Sequence, residues 1–205
     1  MTLEATSQTD LSVWLADLTY TQQSVAADTI PMAIGCVATY AESYIQFESP
    51  IRLFKYPEVL SQALDAGPIP DVIGFSSYCW NTELSASFAR LIKRHSPKNI
   101  VVFGGPNYPL EFADQTAYLE ERPEIDFFIV KEGEIAFSNL IAAISEARGN
   151  LEQVKDQEIL SVHTITSDGS PNLPGYEKRL VELDDIPSPY TSNLLTEFFD
   201  GQLMP

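Results

Sequence analysis

Between Ser12 and about Gly149, short apolar runs rich in β-branched and aromatic residues alternate with longer stretches whose apolar residues recur three and four apart. The first kind predicts buried strands, and the second predicts helices with one inward stripe. Five strands follow: Ser12–Thr19, Ile51–Tyr56, Asp71–Ser76, Asn99–Phe103 and Asp126–Val130. The first intervening helix opens near Pro31, where a missing N–H costs nothing, and turns Ile34, Val37, Ala38 and Ala41 inward. The second opens at Pro57, with Val59, Leu60, Ala63 and Leu64 inward. The third follows Asn81, read as its N-cap, with Leu84, Phe88, Leu91 and Ile92 inward. A weaker helix spans about Glu111 to Glu121, and a fifth after Glu134 buries Phe137, Leu140, Ile141 and Ile144. The alternation predicts an α/β fold: a flavodoxin-like, five-stranded parallel sheet of order 2-1-3-4-5 with helices on both faces.

After Gly149 the pattern changes. Ile159–Thr166 and Lys178–Leu183 read as a β-hairpin around the turn-forming stretch Ser167–Gly175. Asp184–Tyr190, with Pro187 and Pro189, reads as an extended linker, and Glu197–Pro205 has no core of its own. The expected division is therefore one sheet domain over 1–149 and a strand pair with linker over 150–205, leading toward something that follows.

Composition narrows the partners. Twelve basic residues against 29 acidic ones give a net charge of −17, which argues against nucleic acid or an anionic membrane as partner. No apolar run approaches the ~20 residues of a membrane span, and Met1–Asp10 lacks the basic and apolar regions of a signal peptide. A cytoplasmic protein is expected. The two cysteines, Cys36 and Cys79, form no CxxC pair, so neither a zinc site nor a three-cysteine iron–sulfur site is encoded. GxGxxG, GxxxxGK[ST] and a readable catalytic triad are all missing. His95 and His163 both fall outside the predicted site loops, so neither is expected to serve catalysis or a metal.

Ligands of open α/β sheets bind beyond the C-terminal strand ends, at the switch point between strands one and three. Four loops meet there: Thr19–Thr29, Ser77–Asn81, Gly104–Pro109 and Lys131–Glu134. Gly104-Gly105 after a buried strand permits close backbone approach or serves a tight turn; Pro106, Asn107, Tyr108 and Pro109 stiffen that loop and tilt it toward binding. Ser76-Ser77-Tyr78-Cys79-Trp80-Asn81 offers hydroxyls and aromatic rings suited to a flat ligand with a polar tail, although Trp80 packing on a helix would account for it alone. Glu132-Gly133-Glu134 is adequately explained as helix-start acids and could also accept hydrogen bonds.

The order and spacing of several segments resemble the N-terminal cobalamin-binding domain of the B12-binding radical SAM proteins. The segments are Pro31–Gly35 with Ala38–Ala41, Asp71–Tyr78 with Trp80-Asn81, Val102–Pro109, Glu132–Glu134 and Leu183–Tyr190. The resemblance implies a Rossmann-like domain with the corrin across the C-terminal strand ends and the dimethylbenzimidazole tail between sheet and helices. It further implies that Thr19, Tyr20, Ser76, Ser77, Tyr78, Cys79, Trp80, Asn81, Gly104, Gly105, Pro106, Asn107, Tyr108, Glu132, Gly133 and Glu134 line the cofactor. Within that set, Ser76, Gly104 and Gly105 would line the tail channel, and Tyr78, Trp80 and Asn81 the lower corrin face. Two departures matter. The Asp-x-His-x-x-Gly pattern of better-known cobalamin proteins is absent, because the loop holding Asp17, Thr19 and Tyr20 has no histidine; cobalamin bound without a histidine ligand is expected. The CxxxCxxC motif is absent too, so S-adenosylmethionine and a [4Fe-4S] cluster would belong to a radical SAM domain C-terminal to this chain. The reading is thus a cobalamin module of a methyltransferase-type enzyme, with no catalytic residue of its own. A receiver-like signalling domain and a ligand-free interaction domain on the same fold are the alternatives. Gly105→Trp is expected to fill the tail channel and leave the sheet folded.

Overall fold

The computed structural model describes residues 7–21 and 29–199. The chain begins with β1 (Ser7–Thr9), β2 (Val13–Ala16), α1 (Met32–Tyr44), β3 (Ile45–Phe47), β4 (Arg52–Phe54) and α2 (Pro57–Ala66). It continues through β5 (Val72–Ser76), α3 (Thr82–His95), β6 (Ile100–Gly104), α4 (Phe112–Glu120), β7 (Phe127–Ile129) and α5 (Gly133–Glu146). A short α6 (Leu151–Lys155), β8 (Val162–Ile165) and β9 (Pro171–Asn172) follow. The main sheet runs β4-β2-β5-β6-β7-β8-β9. Its first five strands are parallel and carry the expected order 2-1-3-4-5.

Side-chain alternation along these strands divides the interior into two cores. Val13, Leu15, Val72, Val102, Phe127 and Ile129 face α1 and α5. Trp14, Ala16, Ile73, Phe75, Val101, Phe103 and Phe128 face α2, α3 and α4. Helices therefore cover both faces, which explains why the strands read as continuous apolar runs. The inward stripe of α5 is as expected: Phe137, Leu140, Ile141 and Ile144 are buried. On α3 the stripe is rotated. Ser85, Ala86, Ala89 and Ile92 are buried, whereas Leu84 and Phe88 pack at the flank. Small residues there let α3 lie close to the sheet, a choice that a count of bulky residues misreads.

The sheet has seven strands rather than five, and the expected hairpin is shorter. Thr166 N donates to Ser170 O (2.9 Å), Thr166 Oγ1 to Asp168 Oδ1 (2.6 Å), and Gly169 takes φ +84. This turn reverses the chain at once, so β8 pairs with β9 and with β7, both antiparallel. Lys178–Leu183 is not a strand; Val181 in it is exposed. The β1–β3 pair, a separate parallel ribbon, had no apolar signal in Ser7-Gln8-Thr9.

The segment after 183 is not a free linker. Thr39 Oγ1 on α1 donates to Pro187 O (2.7 Å), and Leu195 is buried beside Leu194 and Phe198 against the α1/α5 core. Gly35 permits this: a Cβ there would stand 3.0 Å from Pro189 Cβ. Residues 186–199 thus strap the outside of α1, while 200–205 lie outside the described residues. Thr39→Val is expected to cost about 1 kcal/mol in urea unfolding and to speed proteolysis within the strap; an unchanged unfolding curve would deny the strap its role. Among the described residues, no helix is long and apolar enough to cross a membrane.

Candidate cofactor site

Above the α1/α5 core, the strands run out of side chains. Gly74 on β5 and Gly104 on β6 occupy positions that face α1 and α5, next to Leu15, Val102 and Ile129. Leu15 fills the position above Gly74, where a Cβ would stand 2.5 Å from Leu15 Cδ2, but Gly104 has only ordinary contacts, and a cavity of about 540 Å³ opens beside them. Ala33, Ile34 and Val37 of α1 and Gly133 and Phe137 of α5 form one wall, and Gly105, Pro106, Tyr108 and Gln115 another. The helices meet tightly at its base, where a Cβ on Gly133 would stand 3.1 Å from Val37 Cγ2. The volume falls within the roughly 300–1,000 Å³ common for small-molecule and cofactor sites.

The loop between β5 and α3 is fixed from beneath. Ser77 is fully buried; its N–H donates to Gly104 O (2.7 Å) and its carbonyl accepts from Asn107 N (3.0 Å). Asn81 is fully buried as well. Its Nδ2 donates to Leu18 O (3.1 Å) and Ser76 Oγ (3.0 Å), with a longer contact to Asp17 Oδ1 (3.4 Å). Its Oδ1 accepts from Tyr78 N (2.8 Å), so it anchors the loop and does not cap α3 as expected. Ser76 Oγ donates to Asp17, whose carboxyl burial pushes above its usual range, against the Ser76 hydrogen bond and the Lys55 charge. On this base Tyr78 and Trp80 stack at 4.5 Å and 6°, with Trp80 59% exposed. An ordered, solvent-facing aromatic pair beside a cavity is a surface for a flat partner.

On the other side, Tyr108 stacks on Phe128 at 3.9 Å and meets Tyr118 edge-on. Its hydroxyl lies 3.3 Å from Nδ1 of buried His163 on β8, whose Nε2 lies 3.2 Å from Pro174 O. A carbonyl only accepts, so the proton sits on Nε2 and Nδ1 accepts from Tyr108. Burial lowers the His163 pKa below its usual 6.5 and holds the ring neutral. That stabilisation is complete above pH 6.5 and is lost as pH falls through the lower folded value, where the unfolded state binds the extra proton. Half-buried Asp17 and Glu42 act in the opposite sense, since their raised pKa values favour the folded state in acid. The expected result is therefore a comparison: between pH 7.5 and 5 the parent loses stability relative to His163→Gln, measured by urea titration. Parallel pH curves for the two proteins would refute it.

The family model described as the B12 binding domain matches residues 21–141, more than half of the chain. The chain belongs to the B12-binding domain family. It is 28% identical over 167 residues to the cobalamin-dependent radical SAM methyltransferase TokK of Streptomyces tokunonensis, covering 78% of this chain and 23% of that protein. It is 28% identical over 172 residues to the 2-(S-pantetheinyl)-carbapenam-3-carboxylate methyltransferase of Streptantibioticus cattleyicolor, covering 80% and 23%. The chain thus spans about a quarter of the length of these relatives. Its fold matches a solved structure of the cobalamin-dependent S-adenosylmethionine radical enzyme OxsB with aqua-cobalamin and S-adenosylmethionine bound. That match has a TM-score of 0.65 at 18% identity and covers 92% of this chain and 25% of that one.

Of the residues that the sequence resemblance assigns to the cofactor, Ser76, Tyr78, Gly104, Gly105, Pro106, Tyr108, Glu132, Gly133 and Glu134 border the cavity in this B12-binding domain. Ser77, Asn81 and Asn107 do not; they brace the loops, Asn107 Nδ2 donating to Thr82 Oγ1 at 2.7 Å. Thr19 is buried and hydrogen-bonded through its N–H to Lys55 O (3.1 Å), and Tyr20, Cys79 and Trp80 are exposed nearby. Residues 22–28 of the expected loop Thr19–Thr29 lie outside the described residues. Glu132 starts α5 but is paired with Arg179 (2.8 Å). Sequence reasoning missed the wall from Ala33, Ile34, Val37 and Phe137, and also Gly74, Gln115 and Tyr176. Gly74 carried a usable signal, since a glycine inside a buried strand marks a close approach or a vacated space. Gly105 was misjudged as a filling site. At φ +131, a Cβ on it would stand 2.6 Å from Ser77 O, so any side chain there attacks the loop itself.

Proposed function

We propose that this chain is the cobalamin module of a radical SAM methyltransferase, holding cobalamin with its nucleotide tail in the cavity and its corrin across the mouth. The cavity bordered by Gly74, Gly104 and Tyr78, with Trp80 stacked on Tyr78, carries this reading. It combines a slot for an aromatic tail with a platform for a flat ring. In this assignment Ser76, Gly104 and Gly105 border the tail, Tyr78 and Trp80 underlie the corrin, and Tyr108, Glu132, Gly133 and Glu134 meet its periphery. Ser77, Asn81 and Asn107 act by holding those residues in place. Cobalamin supplies the methyl-transfer chemistry when bound; the protein binds, orients and shields it. Residues 150–205 lead toward the radical SAM domain that would hold S-adenosylmethionine and the iron–sulfur cluster, in a cytoplasmic protein.

Where the two histidines sit supports binding without a histidine ligand. His95 lies on α3, bonded to Leu91 O (2.9 Å), and both nitrogens of His163 are engaged. The test is electron paramagnetic resonance of the bound cofactor reduced to cob(II)alamin. Cobalt lines without threefold nitrogen splitting are the expected result if His95 and His163 keep their present partners and the tail occupies the cavity. Nitrogen triplets would overturn the histidine-free, tail-inserted arrangement.

A further inference from the structure

Gln115 sits on α4 and is 4% exposed, yet its side chain borders the cavity. Its Nε2 donates to Pro109 O (2.9 Å) and, more weakly, to Leu110 O (3.4 Å). Two carbonyls can only accept, so they fix which end of the amide is nitrogen. Oε1 therefore points the other way, and among the described residues it has no protein partner. It is not a sealed, wasted acceptor either. Tyr118 Oη is the one side-chain polar atom among the described residues that is both sealed from solvent and unbonded. Gln115 Oε1 is thus open, and the space its side chain borders is the cavity.

A buried side chain whose donor end is committed to the protein and whose acceptor end faces a cavity selects for a donor in the ligand. We infer that Gln115 is a specificity residue: its Oε1 accepts a hydrogen bond from a primary amide on the edge of the bound corrinoid and disfavours a carboxylate in that place. This rests on the cobalamin reading above. The corrin edge carries several such amides, each an N–H donor. A carboxylate in the same position would set two acceptors against each other in a poorly hydrated site, which costs more than a missing bond. The preference is built into α4 and the Pro109-Leu110 backbone, and no hydrogen bond of Gln115 involves the Tyr78–Trp80 pair.

The test measures dissociation constants of the 205-residue chain and of Gln115→Met for cobalamin and for its individual monocarboxylic acid derivatives. Retained corrin absorbance after dialysis is the readout, and circular dichroism checks the fold. The unaltered chain is expected to bind at least one monocarboxylate about tenfold more weakly than cobalamin. Gln115→Met is expected to bind cobalamin about tenfold more weakly than the parent and to lose most of that discrimination. Equal affinity of the unaltered chain for cobalamin and every monocarboxylate overturns the inference without any variant. So does an unchanged penalty in Gln115→Met. A parent that retains no cobalamin at all removes the cofactor reading, and this inference with it, and that outcome is seen before any derivative is tried.

Discussion

Gly104→Leu is expected to abolish retention of cobalamin while the melting temperature stays within a few degrees of the parent's. A Cβ at Gly104 would stand 3.5 Å from Ile129 O and 3.6 Å from Ile129 Cβ, which is ordinary contact. The backbone there is not in the left-handed region, so a side chain is admitted without strain. Gly104 lines the cavity, so a leucine side chain there is expected to extend into it. The tail and the leucine cannot share that slot. A loss of at least a hundredfold in affinity, about 2.7 kcal/mol or more, is the predicted scale. Gly104→Ala, which adds one methyl, should keep most of the binding. A folded leucine variant with parental affinity would move the cofactor out of this cavity.

Gly105→Ala is expected to damage the fold as well as the site, by about 3 kcal/mol in chemical denaturation. Two costs combine. The φ of +131 is a conformation that L side chains rarely adopt, and the added Cβ would lie 2.6 Å from Ser77 O and 3.0 Å from Ser77 N. Ser77 is the fully buried hub that joins β5, β6 and the Asn107 turn, so it has nowhere to retreat. Gly169 provides the internal comparison. It also has positive φ, but an added Cβ meets nothing within 4 Å, so Gly169→Ala should cost only the backbone preference, about 1–2 kcal/mol. Equal losses at the two positions would contradict the packing described around Ser77.

The central parallel strands were legible because burial on both faces favours an unbroken apolar run, as in Ile100-Val101-Val102-Phe103, whereas the edge strand β4 carries exposed Arg52. The loops at their C-terminal ends were legible as the place of the site for the same topological reason. What could not be read depended on atoms meeting across the sequence. Asn81 looked like a cap because it precedes a helix, but its amide is spent on Leu18, Ser76 and Tyr78. His163 looked remote because it follows the last parallel strand by a helix and a loop; antiparallel pairing of β8 with β7 sets it opposite Phe128, beneath Tyr108. Gln115 was one polar residue in a weak helical pattern, and nothing local marks which end of its amide is free. The strap's hydrogen bond to α1 was hidden because its acceptor is a carbonyl, that of Pro187, which no side-chain pattern records.

The central claim is that this chain itself holds cobalamin in the cavity between the sheet and helices α1 and α5. The direct measurement is to incubate the purified chain anaerobically with hydroxocobalamin, remove unbound cofactor by gel filtration, and quantify corrin against protein from the visible spectrum. Close to one corrin per chain, lost in Gly104→Leu and kept in Gly104→Ala, is the predicted result. A parent chain that emerges without corrin, or a Gly104→Leu chain that emerges with it, would contradict the account.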